Sequence, residues 1–161
     1  MSFDHIYECL TQIPQNGAIM GLDLGTKTIG VAVSDIDQTV ATGIKTINRI
    51  KFQTDLKELK FIIAHREIKG VILGLPKNMS GTEGPRCQSI RAFAKNMAPA
   101  IAIPISFWDE RLSTVAAERS LLEANASRKK RSEVIDYVAA AFILQGALDR
   151  LSVLKRGRNF D

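Results

Sequence analysis

Residues 18–34, Ala18-Ile19-Met20-Gly21-Leu22-Asp23-Leu24-Gly25-Thr26-Lys27-Thr28-Ile29-Gly30-Val31-Ala32-Val33-Ser34, constrain this chain more than any other stretch. The apolar run from Ala18 to Leu24 predicts a buried strand, Gly25 to Thr28 a tight connection, and Ile29 to Val33 the returning strand of a hairpin. One residue breaks the pattern. A bare carboxylate in such a run is costly unless it is paired, hydrogen-bonded or bound to a metal, so Asp23 points to chemistry.

The flanking sequence extends the hairpin into a layered domain. Residues 1–17 read as an extension with a short helix, capped by Ser2 and carrying Phe3, Ile6, Tyr7 and Leu10 on one face, ended by Pro14 and Asn16-Gly17. After the polar turn 35–38, residues 39–48 form a third extended segment. Leu56, Leu59, Ile63 and Ile68 then repeat at helical spacing over 53–68. Gly70 to Leu75 is continuously apolar and stopped by Pro76, as a parallel strand covered on both faces would be. A loop over 76–85, a helix over 86–97 and a strand over 101–108 follow, with Asp109-Glu110-Arg111 at the strand end. Residues 113–124 read as helix, 125–132 as a basic loop, 133–151 as a long helix capped by Ser132, and 152–161 as a basic mobile tail. Three antiparallel-type strands followed by alternating helix and strand describe an α/β domain with a mixed sheet, spanning residues 18–151.

Composition excludes several classes. The chain is 45% hydrophobic and 24% charged, which argues against general disorder. Its 161 residues suit one domain with a sizeable core. No run approaches the roughly 20 apolar residues of a membrane span, and the N-terminus lacks the order of a signal peptide, so a cytoplasmic protein without a membrane partner is expected. Cys9, Cys87, His5 and His65 form no zinc pattern and read as packing, solvated or capping residues. The net charge of +5 favours polyanionic partners.

The acids suggest which chemistry. Ligands of α/β sheets collect beyond the carboxyl ends of parallel strands, where Asp23, the loop after Pro76 and Asp109-Glu110-Arg111 should meet. Side chains alternate along a strand, so only one of Asp109 and Glu110 reaches the site. Asp136 shares a helical face with Ala140, Ile143 and Ala147 and is expected to face protein. Carboxylates clustered without histidine or cysteine suit Mg²⁺ or Mn²⁺, and two such ions about 4 Å apart can activate a water and stabilise a phosphodiester's leaving oxygen. Lys27, Arg111 and the run Arg128, Lys129, Lys130, Arg131 would hold the phosphate backbone. Each acid also has an ordinary role: Asp23 capping a turn, Glu110 pairing with Arg111 or Lys27, Asp136 favoured by a helix N-terminus. The basic run by itself reads more readily as a solvated loop than as a binding patch.

Four segments taken together resemble the signatures of the YqgF family of bacterial proteins, also called RuvX, described as pre-16S rRNA nucleases and as Holliday junction resolvases. They are Gly21-Leu22-Asp23-Leu24-Gly25-Thr26-Lys27-Thr28-Ile29-Gly30-Val31-Ala32, the stretch from Gly74-Leu75-Pro76-Lys77-Asn78 to Gly84, Trp108-Asp109-Glu110-Arg111-Leu112-Ser113-Thr114, and Asp136 to Leu144. The resemblance implies a ribonuclease H-like three-layer domain with a five-stranded mixed sheet, three strands antiparallel and two parallel, flanked by helices. It implies a metal-dependent endonuclease with the triad Asp23, Glu110 and Asp136, Asp109 being the alternative, and Asp23 bridging both metals. Precursor 16S rRNA is the favoured substrate, branched DNA the second, with ribosomal particles as further partners. Lys27 and Arg111 would stabilise phosphate charge, and Asn78 would bond the backbone or substrate, or close a turn. One departure stands out: the family usually has Arg where this chain has Thr28.

Two other classes stay open at this level. Gly-x-Asp-x-Gly-Thr also resembles the first phosphate-binding hairpin of the actin, hexokinase and heat-shock ATPases, although those need two such domains. A non-catalytic nucleic-acid or ribosome-assembly binder would keep the acids for stability. No exposed apolar stripe announces a partner copy, so a monomer or weak homodimer is expected.

Overall fold

Residues 70–75 carry no polar side chain and so offer no face to water, and the computed structural model places that segment inside a sheet with both faces covered. It describes residues 5–113, 118, 121, 124 and 128–159, leaving out the side chains of 128–133 and 158–159. Six strands form one sheet: β1 (Ile6–Tyr7), β2 (Ile19–Leu24), β3 (Thr28–Ser34), β4 (Ala41–Asn48), β5 (Gly70–Leu75) and β6 (Ile105–Asp109). Their order is β1-β6-β5-β2-β3-β4. β2, β3 and β4 pair antiparallel, while β5 pairs parallel to both β2 and β6.

Alternation along β2 separates two cores. Met20, Leu22 and Leu24 join Leu59 of α1 (Phe52–His65) and Ile90 and Phe93 of α2 (Pro85–Ile101). Ile19 points the other way, into a cluster with Ala140, Ile143 and Leu144 of α3 (Arg128–Asn159). The domain therefore has three layers, two helices, a sheet and one long helix. Over Val134–Gly157 the last helix is long and apolar enough to cross a membrane by length and composition. Here Ala139, Ile143, Leu144, Ala147 and Leu148 are buried in the cluster it forms with the sheet.

The sheet has six strands rather than the expected five. Residues 6–7 form an edge strand parallel to β6 instead of a helical turn, and only a 3-10 turn, Leu10–Gln12, is helical. The apolar spacing has a tertiary cause, because Leu10 and Ile13 are buried in the α3-side core. Ser2 and Phe3 lie outside the described residues. The last helix starts at Arg128, so 128–132 are helical backbone and not loop, and it runs on through the expected tail to Asn159. Buried Leu151, the packing of Leu154 and a 2.8 Å bond from Lys155 Nζ to Gln38 Oε1 carry it past residue 151. Most of the helix expected over 113–124 lies outside the described residues. Cys87 is buried as expected, whereas Cys9 is exposed.

Candidate active site at the end of the central strand

Asp23 is the last but one residue of β2 and follows the parity of Ile19 and Gly21, so its side chain lies on the α3 face. Only 7% of it is exposed. On the antiparallel side its partner is Gly30. On the parallel side the pairing Leu22 with Leu73 brings Gly74 alongside it. The missing side chains matter. A Cβ on Gly30 would lie 1.8 Å from the Asp136 carbonyl oxygen, so the backbone of α3 rests directly on this glycine. A Cβ on Gly74 would lie 2.7 Å from Ile143 Cδ1 and 3.2 Å from Glu110 Oε1. Asp23 is thus flanked by two bare strands, with Asp136 seated over one and Glu110 over the other.

Strand parity separates the two candidates after β6. Trp108 faces α3, where its ring lies about as far as 2.9 Å from the place a Gly146 Cβ would take, so Asp109 points to the opposite face. Its carboxylate is engaged there: Arg111 Nη2 donates to Oδ2 at 2.6 Å, and the Arg111 backbone N–H donates to Oδ1 at 3.0 Å. The Arg111 side-chain bonds hold the Asp109 carboxyl below its ordinary value. Glu110 opens the 3-10 turn Glu110–Leu112 and is the acid that reaches the α3 face beside Gly74. Asp136 is half-buried and accepts a 2.8 Å hydrogen bond from Thr28 Oγ1.

The donor set, oxygen atoms only, fits a hard divalent cation, and the bare Gly30 and Gly74 let the elements that carry Asp136 and Glu110 close on the strand beside Asp23. Among the described residues no three Asp, Glu, His or Cys side chains are gathered into a closed ligand group. Thr28 holds one oxygen of Asp136, Oδ2. The acids therefore fit a metal by kind and by side of the sheet, and assembling them requires a carboxylate to move.

The expected phosphate contacts are distributed unevenly. Arg111 is ion-paired with Asp109 and donates at 3.3 Å to the Met79 carbonyl, so it ties the 3-10 turn to the loop after β5. Asn78 closes that loop: its N–H donates to Thr82 O and its side-chain amide to Thr82 Oγ1, both at 2.9 Å. Lys27 is exposed at the β2–β3 turn, and its carbonyl accepts from Arg49 N at 2.9 Å. The side chains of Arg128, Lys129, Lys130 and Arg131 lie outside the described residues. Sequence reasoning passed over Arg49 and Arg86, whose guanidiniums donate to the Gly25 and Leu24 carbonyls just beyond Asp23. Neither belongs to a local motif; only the folded proximity of β4 and α2 to the turn reveals them.

A family model named RuvX, described as Holliday junction resolvase, matches residues 17–150. A relative from Cereibacter sphaeroides, named "Putative pre-16S rRNA nuclease", is 58% identical over 156 residues, covering 97% of this chain and 98% of its own. Its namesake from Rhodobacter capsulatus is 62% identical over 144 residues, 89% of this chain and 91% of its own. Among solved structures, Thermus thermophilus RuvC in complex with a Holliday junction matches with TM-score 0.54 at 11% identity, over 82% of this chain and 93% of that one. The yeast mitochondrial Holliday junction resolvase matches with TM-score 0.52 at 14% identity, over 93% and 85%. At such identities the likeness speaks for the fold, which is ribonuclease H-like.

Proposed function

The chain belongs to the RuvX family, and from that premise we propose that it is a metal-dependent endonuclease that hydrolyses phosphodiester bonds in precursor 16S rRNA. One observation carries the assignment of the site: Asp23 sits on the central strand between Gly30 and Gly74, with Asp136 and Glu110 on the same face to either side. Those three carboxylates would hold Mg²⁺ or Mn²⁺. When bound, such ions supply Lewis-acid activation of a water and stabilisation of the leaving oxygen.

The chain's own residues set the rest. Asp23 is 7% exposed, so water competes little for its carboxylate and an ion bound there would interact with it at low local dielectric. The absence of side chains at Gly30 and Gly74 lets backbone and carboxylate approach where a Cβ would exclude them. Thr28 donates to Asp136 and fixes the direction of one carboxylate oxygen. Lys27, exposed on the adjoining turn, supplies positive charge at the mouth of the site. The relatives' name supports rRNA over branched DNA as the substrate.

Labelled precursor 16S rRNA and a four-way DNA junction, incubated side by side with Mg²⁺ or Mn²⁺, test the reading. Wild type should cut the rRNA, and Asp23→Asn should bind it without cutting. Cleavage of the junction alone would move the substrate to DNA. RNA binding without cleavage above the Asp23→Asn control would make the protein a binder.

A further inference from the structure

Arginines near the strand ends divide into two kinds. Arg91 is held between Glu8 and Glu83, and Arg111 is held by Asp109, so their charges are neutralised within the fold. Arg49 and Arg86 have no carboxylate partner among the described residues. Arg49 Nη1 instead donates to the Gly25 carbonyl at 2.5 Å, and Arg86 Nη2 to the Leu24 carbonyl at 3.2 Å. These carbonyls are consecutive, and the first belongs to the residue after Asp23. Phe93 supports Arg49 from below, its ring centroid 5.6 Å from the guanidinium carbon. Between the turn and α2 lies a cleft of about 210 Å³ lined by Gly25, Thr26, Arg49, Arg86 and Ser89.

We propose that this cleft is a phosphate clamp: Arg49 and Arg86 grip a phosphodiester of the substrate strand close to the one that is cut, with the Thr26 and Ser89 hydroxyls available as further donors. The proposal rests on the nuclease reading and deepens it. Each guanidinium presents several N–H donors in a planar fork, and one bond to a carbonyl orients that fork without neutralising it. Two like charges oriented on neighbouring carbonyls repel until an anion lies between them. A phosphate oxygen pair matches both the charge and the fork geometry. Position adds to this. Gly25 is two residues beyond Asp23, at most about 7 Å along the chain, so a phosphate bound there belongs to the same short stretch of strand as one bound at Asp23. The cleft is on the α2 side and the acids on the α3 side of the same strand end, so a phosphate held there fixes where the substrate strand crosses the end of β2.

Binding of a fluorescein-labelled single-stranded RNA, and of DNA with the same sequence, is measured by anisotropy across a salt series in the Asp23→Asn background, which leaves the strand intact. Arg49→Gln and Arg86→Gln should each weaken binding about tenfold, as for one lost charge-assisted bond. The log–log salt slope should fall by about 0.7, the value for one phosphate on a single strand. RNA and DNA should lose alike, since the group recognised is common to both. A scan of single methylphosphonate linkages should find one position that weakens the parent protein and leaves Arg86→Gln unaffected. Arg86→Lys, which keeps the charge and lacks the fork, should retain the slope and recover part of the affinity; if Arg86→Gln fails to fold, the scan is read with Arg49→Gln. An unchanged slope, with cleavage lowered when the same substitutions are placed in the wild-type background, would show that the arginines only hold the turn, and the clamp would be overturned while the nuclease stood. A lost slope in a protein whose wild type cuts nothing would overturn the nuclease reading and leave the clamp as a binding site.

Discussion

Thr28 is the residue at which this chain leaves the family's usual pattern, and the structure gives the departure a physical content. Its hydroxyl donates to Asp136 Oδ2 at 2.8 Å, joining the first residue of β3 to the helix that carries the third acid. A hydrogen bond to a charged group contributes about 1.5–3 kcal/mol, enough to fix one rotamer of a half-exposed carboxylate. Thr28→Val keeps the shape and removes the donor. We expect it to lower kcat about tenfold and to weaken Mn²⁺ binding measured by titration calorimetry, while Thr28→Ser restores both. Equal activity in Thr28→Val and wild type would show that Asp136 is positioned by its helix alone. Asp109 illustrates the opposite case. It stood as an alternative ligand because chain position alone cannot fix strand parity, and its carboxylate proves to be committed to Arg111.

At the scale of the elements, the bed of glycines under α3 decides where the acids lie. Gly30→Ala would push a methyl to within 1.8 Å of the Asp136 backbone carbonyl oxygen, where no rotamer change relieves it. Overpacking costs about 1–3 kcal/mol, so a melting temperature several degrees lower is expected, with cleavage lost beyond what the unfolded fraction explains. The β3–β4 turn offers a second test. Asp35 accepts from the Thr39 hydroxyl, and from the Thr39 and Val40 N–H groups, and its carboxyl is lowered to about 2, chiefly by the Thr39 hydroxyl and then by Val40 N–H. A carboxyl depressed on folding stabilises above its unfolded value, near 4, and loses that contribution as pH falls through its folded value. The melting difference between wild type and Asp35→Ala should be full at neutral pH and fade between about pH 4 and pH 2. A difference constant over that range would mean that the turn gains nothing from the charge.

Much of this arrangement was legible beforehand for a specific reason. β2, β3 and β5 are mostly apolar, with Gly25 after β2 and Pro76 after β5, so local pattern and tertiary burial agree. Asp23 and Asp136 stood out because each interrupts an apolar face. The misses are places where a distant partner decides: residues 6–7 become a strand only because β6 has an open edge, and Arg49 and Arg86 matter only because folding brings them to one turn.

For the molecule as a whole, the N-terminal segment behaves as a strap across the sheet edge and the end of α3. β1 adds to β6, Ser106 Oγ donates to the Cys9 carbonyl at 3.0 Å, and Arg91 binds Glu8 while lying over the Phe107 ring. Leu10 and Ile13 are buried with Trp108, Leu148 and Leu151. A cavity of about 340 Å³ lies between the strap and this corner, lined by Cys9, Leu10, Trp108 and Leu154 among others. Removing residues 1–14 would uncover that corner. Burial of two large aliphatic side chains contributes about 1.5–3 kcal/mol each, together a large share of the roughly 5–15 kcal/mol that holds a domain folded. Yet the pairing of β2 with β3 and β5, and the seating of α3 on Gly30, involve none of the deleted residues. The truncated chain should therefore melt well below wild type, with the emission of Trp108, the single tryptophan, shifted to the red in the native state by new contact with water. The fraction that remains folded should cleave at the wild-type rate. A truncated protein that is stable but inactive would show instead that the strap acts on the site through β6, which carries Glu110 at its end.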